Sequence, residues 1–439
     1  MVIICEPQCK DISHEKVNSG FIYGLRLAYP KEKIVFFADA THIQAIRDIL
    51  ENDKVSIDNF ECRPIKFSID GTFSITGIIK YFLLFKKIFG ETLSLKVDKI
   101  FFLSNNPIIL YTIKKLKQQN RFKNISCTFV LHGELECIAN AYYRPPYVPV
   151  MEHQFTKSNA SGLKVIIIKL FKKRHKILPF IIKKILRPFS WLSSKYSLIF
   201  KKIFRVKKIM IWQHSDHYKY IALSPHIVKN ANDYLDTNYL NFHTIIMPIV
   251  FAKPYPPANN QFIKFAVFGY GDYTQMNKML TLLSTKKISK PYEIRIISVA
   301  VWGTEGFPNI NRVSDGKILS RKEMEIYAQD VDMFINLYDN KRHRFGCSGS
   351  IFESFSYLKP VLYISNDGYN YFFNKPERPI GFNCENMNSF VEKMVDIIEN
   401  YSSYKNDLIV FRNNMLECRK EYAIENNLDT LRKSFTFES

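Results

Sequence analysis

Short apolar runs alternate with helix-length amphipathic segments along most of this chain, and the alternation occurs twice. In the first series Val2–Cys5, Lys33–Asp39, Asp98–Leu103, Ile125–Leu131, Tyr220–Leu223 and His243–Val250 read as strands, with a weaker one near Cys62–Phe67. Between them His14–Ala28, Thr41–Glu51, Ile75–Phe89 and Ile108–Gln119 have helical spacing. Val17, Phe21, Leu25 and Ala28 share one face of the first of these, and Pro30 stops it. Strands that are apolar throughout have both faces buried, which implies a parallel sheet sandwiched between helices. The second series has strands at Ile263–Phe268, Glu293–Ser298, Met333–Leu337 and Pro360–Ile364. Its helices are Met276–Leu283, Ser320–Ala328, Ser350–Leu358, Met387–Asn400 and a tail from Leu408. Lys253–Asn260 separates the two, and its three prolines within five residues continue neither a helix nor a central strand. The expected organisation is a first α/β unit over 1–252, a hinge at 253–260, a second unit over 261–405 and a helical tail over 406–439. A chain of 439 residues has room for two cores of about 200 residues each.

Charge adds a second constraint. The formal net charge is +21, and 16 of the Lys and Arg residues lie between Lys157 and Lys208, in a stretch from His153 to Ser215 without Asp or Glu. One local surface is therefore expected to meet an anionic partner. The segment interleaves Ile, Leu and Phe with Lys172, Lys173, Arg174, Lys183, Lys184 and Arg187, and Pro179 and Pro188 divide it. This composition suits an interfacial helix on an anionic membrane, with Trp191, Tyr196 and Trp212 as anchors, in an insert over about 160–212. A solvated insertion packed on the first unit is the plainer alternative. No nucleic-acid-binding signature accompanies the basic residues. The eight cysteines form neither a CxxC pair nor a zinc-like group with histidine, and they read as reduced thiols of a cytosolic protein. The opening MVIICEPQCKD reads as a first strand, not a signal peptide. No apolar run reaches the 18 residues of a spanning helix.

Ligands of open α/β sheets bind beyond the carboxyl ends of the strands. The strongest candidate there is Ser348-Gly349-Ser350, where a strand passes through a small-residue turn into a helix whose amides suit a phosphate. Arg342 and Arg344 lie just upstream and could pair with a diphosphate. Glu353, three residues into that helix, is either a capping-box residue or a carboxylate for ribose hydroxyls. Gly269 and Gly271 form a tight turn at another strand end, and Lys278 is the nearest base beyond it. In the first unit, His132-Gly133-Glu134 ends a buried strand, which offers His132 and Glu134 as catalytic groups or as a polar turn. His14, Glu15 and Asn18 open the first helix as acceptor-side candidates or as capping residues. Asp330-Val-Asp332 has the spacing of a metal-binding DxD but precedes a core strand, so no metal site is expected.

Ser348-Gly349-Ser350, Glu353-Ser354 and Leu358-Lys359-Pro360-Val361 together resemble the donor-site element of GT-B glycosyltransferases, in particular GT4-like families of bacterial surface-polysaccharide (capsule and O-antigen) assembly. Leu319–Asp332, Tyr220–Ser224, Met247-Pro248 and Phe268-Gly269 fit the same order, so the similarity in organisation covers nearly the whole chain. The resemblance implies two Rossmann-like domains facing a cleft. It implies transfer of a sugar from a UDP- or GDP-sugar type donor to a lipid-linked glycan acceptor, without cofactor or metal, at the inner face of the cell membrane. It places the donor phosphates on Ser348, Gly349, Ser350 and Arg344 and the ribose on Glu353. The sequence departs from the pattern in three places, one being the Arg…Lys phosphate pair after the hinge strand, for which Lys278 is the nearest basic residue. The first of the family's two Glu residues falls at Phe345, and Cys9–Gly20 stands where a Gly-Gly turn is usual. A non-catalytic membrane-associated assembly protein and a nucleotide-sugar epimerase of the same fold are the competing readings.

Overall fold

The computed structural model describes residues 1–52, 55, 58–66, 75–138, 204–268, 273–297, 306–313, 319–338 and 343–436. Its first half builds a parallel sheet from β1 (Val2–Cys5), β2 (Ile34–Ala38), β3 (Phe60–Pro64), β4 (Lys99–Phe102), β5 (Ser126–Leu131), β6 (Tyr218–Ala222) and β7 (Phe242–Thr244), in the order β3-β2-β1-β4-β5-β6-β7. Its helices are α1 (Glu15–Ala28), α2 (Ala40–Asn52), α3 (Ile75–Ser94), α4 (Pro107–Lys117), α5 (Val206–Ile211) and α6 (Pro225–Ala231). The second half repeats the plan with β8 (Lys264–Phe268), β9 (Glu293–Ile297), β10 (Ile310–Arg312), β11 (Met333–Asn336), β12 (Val361–Ile364) and β13 (Gly381–Cys384), ordered β10-β9-β8-β11-β12-β13, again all parallel. Its helices are α7 (Tyr273–Ser284), α8 (Arg321–Gln329), α9 (Gly349–Tyr357), α10 (Asp367–Phe373), α11 (Met387–Glu399), α12 (Tyr401–Tyr422) and α13 (Leu428–Phe435). Both sheets reverse direction of winding once, between β1 and β4 and between β8 and β11, as doubly wound Rossmann-like sheets do.

The strands form where the sequence runs apolar. Every residue of β1, β2, β5, β6, β11 and β12 is buried. Helix starts follow the side-chain chemistry. Asn106 Oδ1 accepts from the amides of Ile108 and Ile109 at 2.9 Å ahead of Pro107, and Ser320 and Glu323 close a capping box on α8.

The structure differs from the sequence expectation at several places. Of the His243–Val250 run only His243 and Thr244 belong to the strand that forms, Phe242–Thr244. Pro248 lacks an amide proton, and its carbonyl instead lies against α1, where a Cβ added at Gly20 would sit 2.1 Å from Pro248 O. The edge strands β10 and β13 and the helix α10 carry no alternating apolar signal long enough to be anticipated. The described end of the expected insert, from Phe204 to Trp212, packs most of its apolar residues into the core of the first half. Phe204, Val206, Ile209 and Met210 are buried, and the Trp212 indole stacks on Tyr111 with centroids 5.2 Å apart. Lys172, Lys173, Arg174, Lys183, Lys184, Arg187, Trp191 and Tyr196 lie outside the described residues.

Among the contacts of the described residues that hold the halves together, two sets stand out. On the hinge side Arg419 donates to the carbonyls of Ser356 (3.0 Å) and Ala252, and Arg412 to those of Leu358 (3.1 Å) and Tyr255. The C-terminal helices then return to the first half. Phe435 of α13 meets Phe101 and Phe21 edge to face, at 4.8 and 6.0 Å between centroids. The second set crosses at the segment that leads into α9. Phe345 is 5% exposed and packs edge to face on Tyr234 beyond α6 at 5.7 Å. The Phe345 amide donates to Glu136 Oε1 at 3.1 Å, and Asn230 Nδ2 donates to Arg344 O and to Asp367 Oδ2, both at 2.8 Å. His226 Nε2 lies 3.2 Å from the carbonyls of both His343 and Gly346. Burial lowers the pKa of His226, outweighing those carbonyls.

Candidate functional site

The strand ends beside the switch points bring α1 and α9 to the same crevice. Gly346 lies directly under the first half, where an added Cβ would be 3.0 Å from His132 O. Two residues later Ser348 caps α9, its Oγ accepting from the Ser350 amide at 3.3 Å and lying 2.8 Å from Ser350 Oγ. The next position is open, since a Cβ on Gly349 would meet nothing within 4 Å. One turn on, Glu353 Oε1 meets Lys16 Nζ of α1 at 2.5 Å, an ion pair joining residues 337 apart in sequence. The Lys16 ammonium also lies 5.7 Å from the Tyr357 ring centroid and 5.8 Å from that of Phe268, the last residue of β8. The small-residue turn, a carboxylate and a cation thus share one place at the carboxyl end of the second sheet.

The first half contributes a histidine pair. His14, just before α1, adopts a left-handed backbone (φ 54°, ψ 18°) and makes no side-chain cap, so the helix-capping alternative does not describe it. Its ring stands 4.6 Å from that of His132, inclined at 31°. His132 Nε2 lies 2.6 Å from Leu103 O, and because a carbonyl only accepts, that nitrogen carries the hydrogen. His14 is exposed at the surface, with protein packed close around it. That crowding, and after it the adjacent imidazole, lower its pKa. Glu15, the first residue of α1, is 9% exposed, and burial pushes its carboxyl up to about 7, against the pull of Lys16 and Arg321.

Under this pair lies a buried network that sequence reading missed. Glu6, fully buried at the end of β1, accepts from the amides of Gln8 (2.8 Å) and Cys9 (3.0 Å), from Asn18 Nδ2 (2.9 Å) and from Ser104 Oγ. Asn18 Nδ2 also lies 2.9 Å from His42 Nε2, and His42 Nδ1 lies 2.8 Å from Asp11 O. Burial raises the Glu6 pKa, but His42 and the donated hydrogen bonds outweigh it and leave the carboxyl below its ordinary value. Asn18, expected on the acceptor side, is thus wholly buried as the link between Glu6 and His42. The signal for Glu6 was a carboxylate followed by proline, immediately after a buried strand at the centre of the sheet.

Other expected site residues have structural duties. Glu134 Oε2 turns back onto the amides of His132 (2.7 Å) and Gly133 (3.1 Å), and burial raises its pKa. It shapes the loop, so His132 stands without a free carboxylate from Glu134. Arg344 reaches Asp233 of the first half at 3.4 Å and not the start of α9. Lys278 stands exposed on α7. Gly269, Gly271 and Arg342 lie outside the described residues. Asp330 pairs with Lys264 (2.8 Å) and Arg295, and Asp332 accepts from the Lys264 amide, Asn260 and Tyr401, so the DxD spacing ties the base of the second sheet. Among the described residues no three His, Cys, Asp or Glu side chains are grouped as metal ligands, and no helix is long and apolar enough to cross a membrane.

No protein-family model matches this chain, and no curated protein matches it. Solved structures do match it in fold. A glycosyltransferase from Rickettsia africae aligns over 99% of this chain and 97% of its own, with a TM-score of 0.54 and 10% identity. Sucrose-phosphate synthase from Thermosynechococcus elongatus aligns over 99% and 98%, with a TM-score of 0.56 and 10% identity. HepE from Anabaena, solved in complex with UDP, aligns over 99% of each chain, with a TM-score of 0.51 and 9% identity. At such identities the likeness is one of architecture. This chain has the α/β GT-B arrangement of two Rossmann-like halves across a crevice.

Proposed function

We propose that this protein transfers a sugar from a nucleoside diphosphate sugar to a glycan acceptor. The observation that carries the reading is the meeting of the α9 start with the α1 start across the crevice, made visible by the Lys16–Glu353 contact. HepE, which shares the architecture, was solved in complex with UDP, and this supports a nucleotide ligand for the fold. Ser348, Gly349 and Ser350 receive the diphosphate on helix-start amides, and Glu353 accepts hydrogen bonds from the ribose hydroxyls. The acceptor hydroxyl enters from the first half, beside His14 and His132. The anomeric C–O bond to the diphosphate breaks, and the leaving charge is held by the α9 start. The acceptor oxygen bonds to the anomeric carbon, and its proton passes to neutral His14. The preassembled crevice contributes positioning.

The finer reading rests on the basic insert. Its 16 Lys and Arg without an acid suit an anionic membrane surface, and hence a lipid-linked acceptor of surface-polysaccharide assembly at the inner face of the cell membrane. Flotation with anionic liposomes tests it. Neutralising Lys172, Lys173, Arg174, Lys183, Lys184 and Arg187 should abolish co-flotation, and unchanged binding defeats the membrane claim.

A non-catalytic assembly role is favoured by one observation, the buried Phe345 at the position where the resembled families have their first Glu. Calorimetry with UDP-, GDP-, ADP- and dTDP-sugars, followed by a transfer assay on the binder, decides between the two. Binding that is lost in Glu353→Ala, with sugar released or transferred, supports the enzyme. No binding of any of the four supports the assembly role.

A further inference from the structure

We propose that Lys16 and Glu353 form a latch that the donor itself opens, with Lys16 passing from the carboxylate to the diphosphate as it does so; this rests on the donor reading above. The pair is withdrawn from water, with side chains 19% and 13% exposed, so it is not a screened surface contact. Removing either partner leaves a shielded charge uncompensated. A ribose that takes Glu353 therefore has to leave Lys16 another anion. The ammonium already sits at the required place. It lies 5.8 Å from the ring of Phe268, at the carboxyl end of β8 beside the switch point, where phosphates lie in sheets of this order. Glu15, Asp48, Arg321 and Glu325 are other charged groups nearby, and burial pushes the Glu15 carboxyl up to about 7, so it is about half protonated at pH 7. Lys16 comes from the first half and Glu353 from the second, so the exchange also links donor binding to the acceptor side of the crevice.

The latch makes a nucleoside and a diphosphate interdependent. A nucleoside alone has to break the pair and strand Lys16, and its apparent affinity falls by the fraction of molecules in which the pair is open. A nucleoside diphosphate satisfies both residues at once. Removing Lys16 should therefore change the two affinities in opposite directions, which a merely structural ion pair does not do.

The test is calorimetric titration of the full chain with UDP, GDP and ADP and with the matching nucleosides. For whichever diphosphate binds, Lys16→Met should bind the nucleoside about tenfold more tightly and the diphosphate about tenfold more weakly. Lys16→Arg, which keeps the charge, should stay near wild type. The wild-type protein carries the same test without substitution, because inorganic pyrophosphate should tighten nucleoside binding. Lys16→Met affinities that move together or do not move, or nucleoside binding indifferent to pyrophosphate, overturn the latch and leave the donor reading standing. If the wild type binds none of the three diphosphates and none of the four nucleotide sugars named above, the donor reading fails and the latch falls with it.

Discussion

The imidazoles of His14 and His132 lie 4.6 Å apart, tilted at 31° to each other, although one precedes α1 and the other follows β5. The Leu103 carbonyl fixes a hydrogen on His132 Nε2, and crowding followed by the His132 ring lowers the pKa of His14. His14 is therefore the ring able to accept a proton from an acceptor hydroxyl across the neutral range. His14→Gln should slow sugar transfer by roughly 100-fold or more while leaving nucleoside diphosphate affinity unchanged. Steady-state kinetics beside calorimetry read the two separately, and a parallel loss of affinity would place His14 in donor binding instead.

His14 also ties stability to pH. Its pKa is lowered by folding, so below about 6.5, the ordinary histidine value, the unfolded chain takes up a proton that the folded chain refuses. Stability contributed by neutral His14 is present above that value and lost as pH falls below it. Chemical denaturation at pH 7.5 and 5.5 should show wild type losing more than His14→Gln over that interval. Equal losses would mean that the ring is no more crowded than it is in water.

Glu15 gives the opposite sign. Its folded pKa is raised to about 7 by burial, against an unfolded value near 4.5, so between these values the folded state holds the extra proton. The stability associated with that proton is complete below pH 4.5 and is lost as pH rises through 7. Glu15→Gln, neutral at every pH, should be the more stable protein at pH 8, by about 2 kcal/mol, with little difference at pH 5. Thermal unfolding of both proteins at the two pH values measures this, and a variant less stable at pH 8 would show that Lys16 and Arg321 outweigh burial.

The legible part of the fold was the part buried on both sides. Ile34–Ala38 and Ser126–Leu131 are wholly buried and stand out in the sequence as apolar runs. Ile310–Arg312 and Gly381–Cys384 are short edge strands with partly exposed residues and give no such run. For the site, the turn at Ser348–Ser350 was readable because a helix start needs local chemistry, and Ser348 does cap it. What its neighbours do was not readable, because it depends on tertiary contacts. Arg344 is as close to Ser348 in sequence as charge arguments could ask, yet the chain between them turns Phe345 into the first half and carries Arg344 to Asp233. Lys16 opposite Glu353 is the converse case, a contact of residues that no spacing rule joins.

Phe345 occupies the position at which GT4-like sequences have their first Glu, and it acts as a bolt between the halves. Its ring joins the core of the first sheet while its chain belongs to the second. Phe345→Ala should cost about 3 kcal/mol, in the range of buried phenylalanine truncations. The loss should fall on coupling between the halves, so that differential scanning calorimetry resolves two transitions where wild type has one. A single transition at lower temperature would make Phe345 an ordinary core residue.

Glu6 offers the sharpest test of how the first half is organised around His14. Its fully buried carboxylate receives four donors, from Gln8, Cys9, Asn18 and Ser104. Glu6→Gln exchanges an acceptor oxygen for an NH2 group facing donors, which should cost about 2 kcal/mol, the penalty of leaving buried polar groups unpaired. The folded carboxyl has a lowered pKa, so its contribution is present above the unfolded value of about 4.5 and is lost as pH falls through the lower folded one. The gap between wild type and Glu6→Gln should therefore be full at pH 7 and shrink towards pH 3. Because the Gln8 and Cys9 amides and Asn18 bracket the turn that carries His14, the variant should also lower the transfer rate at pH 7 more than it weakens donor binding. A stability gap that persists unchanged at pH 3 would mean that the shape of Glu6, and not its charge, holds the turn.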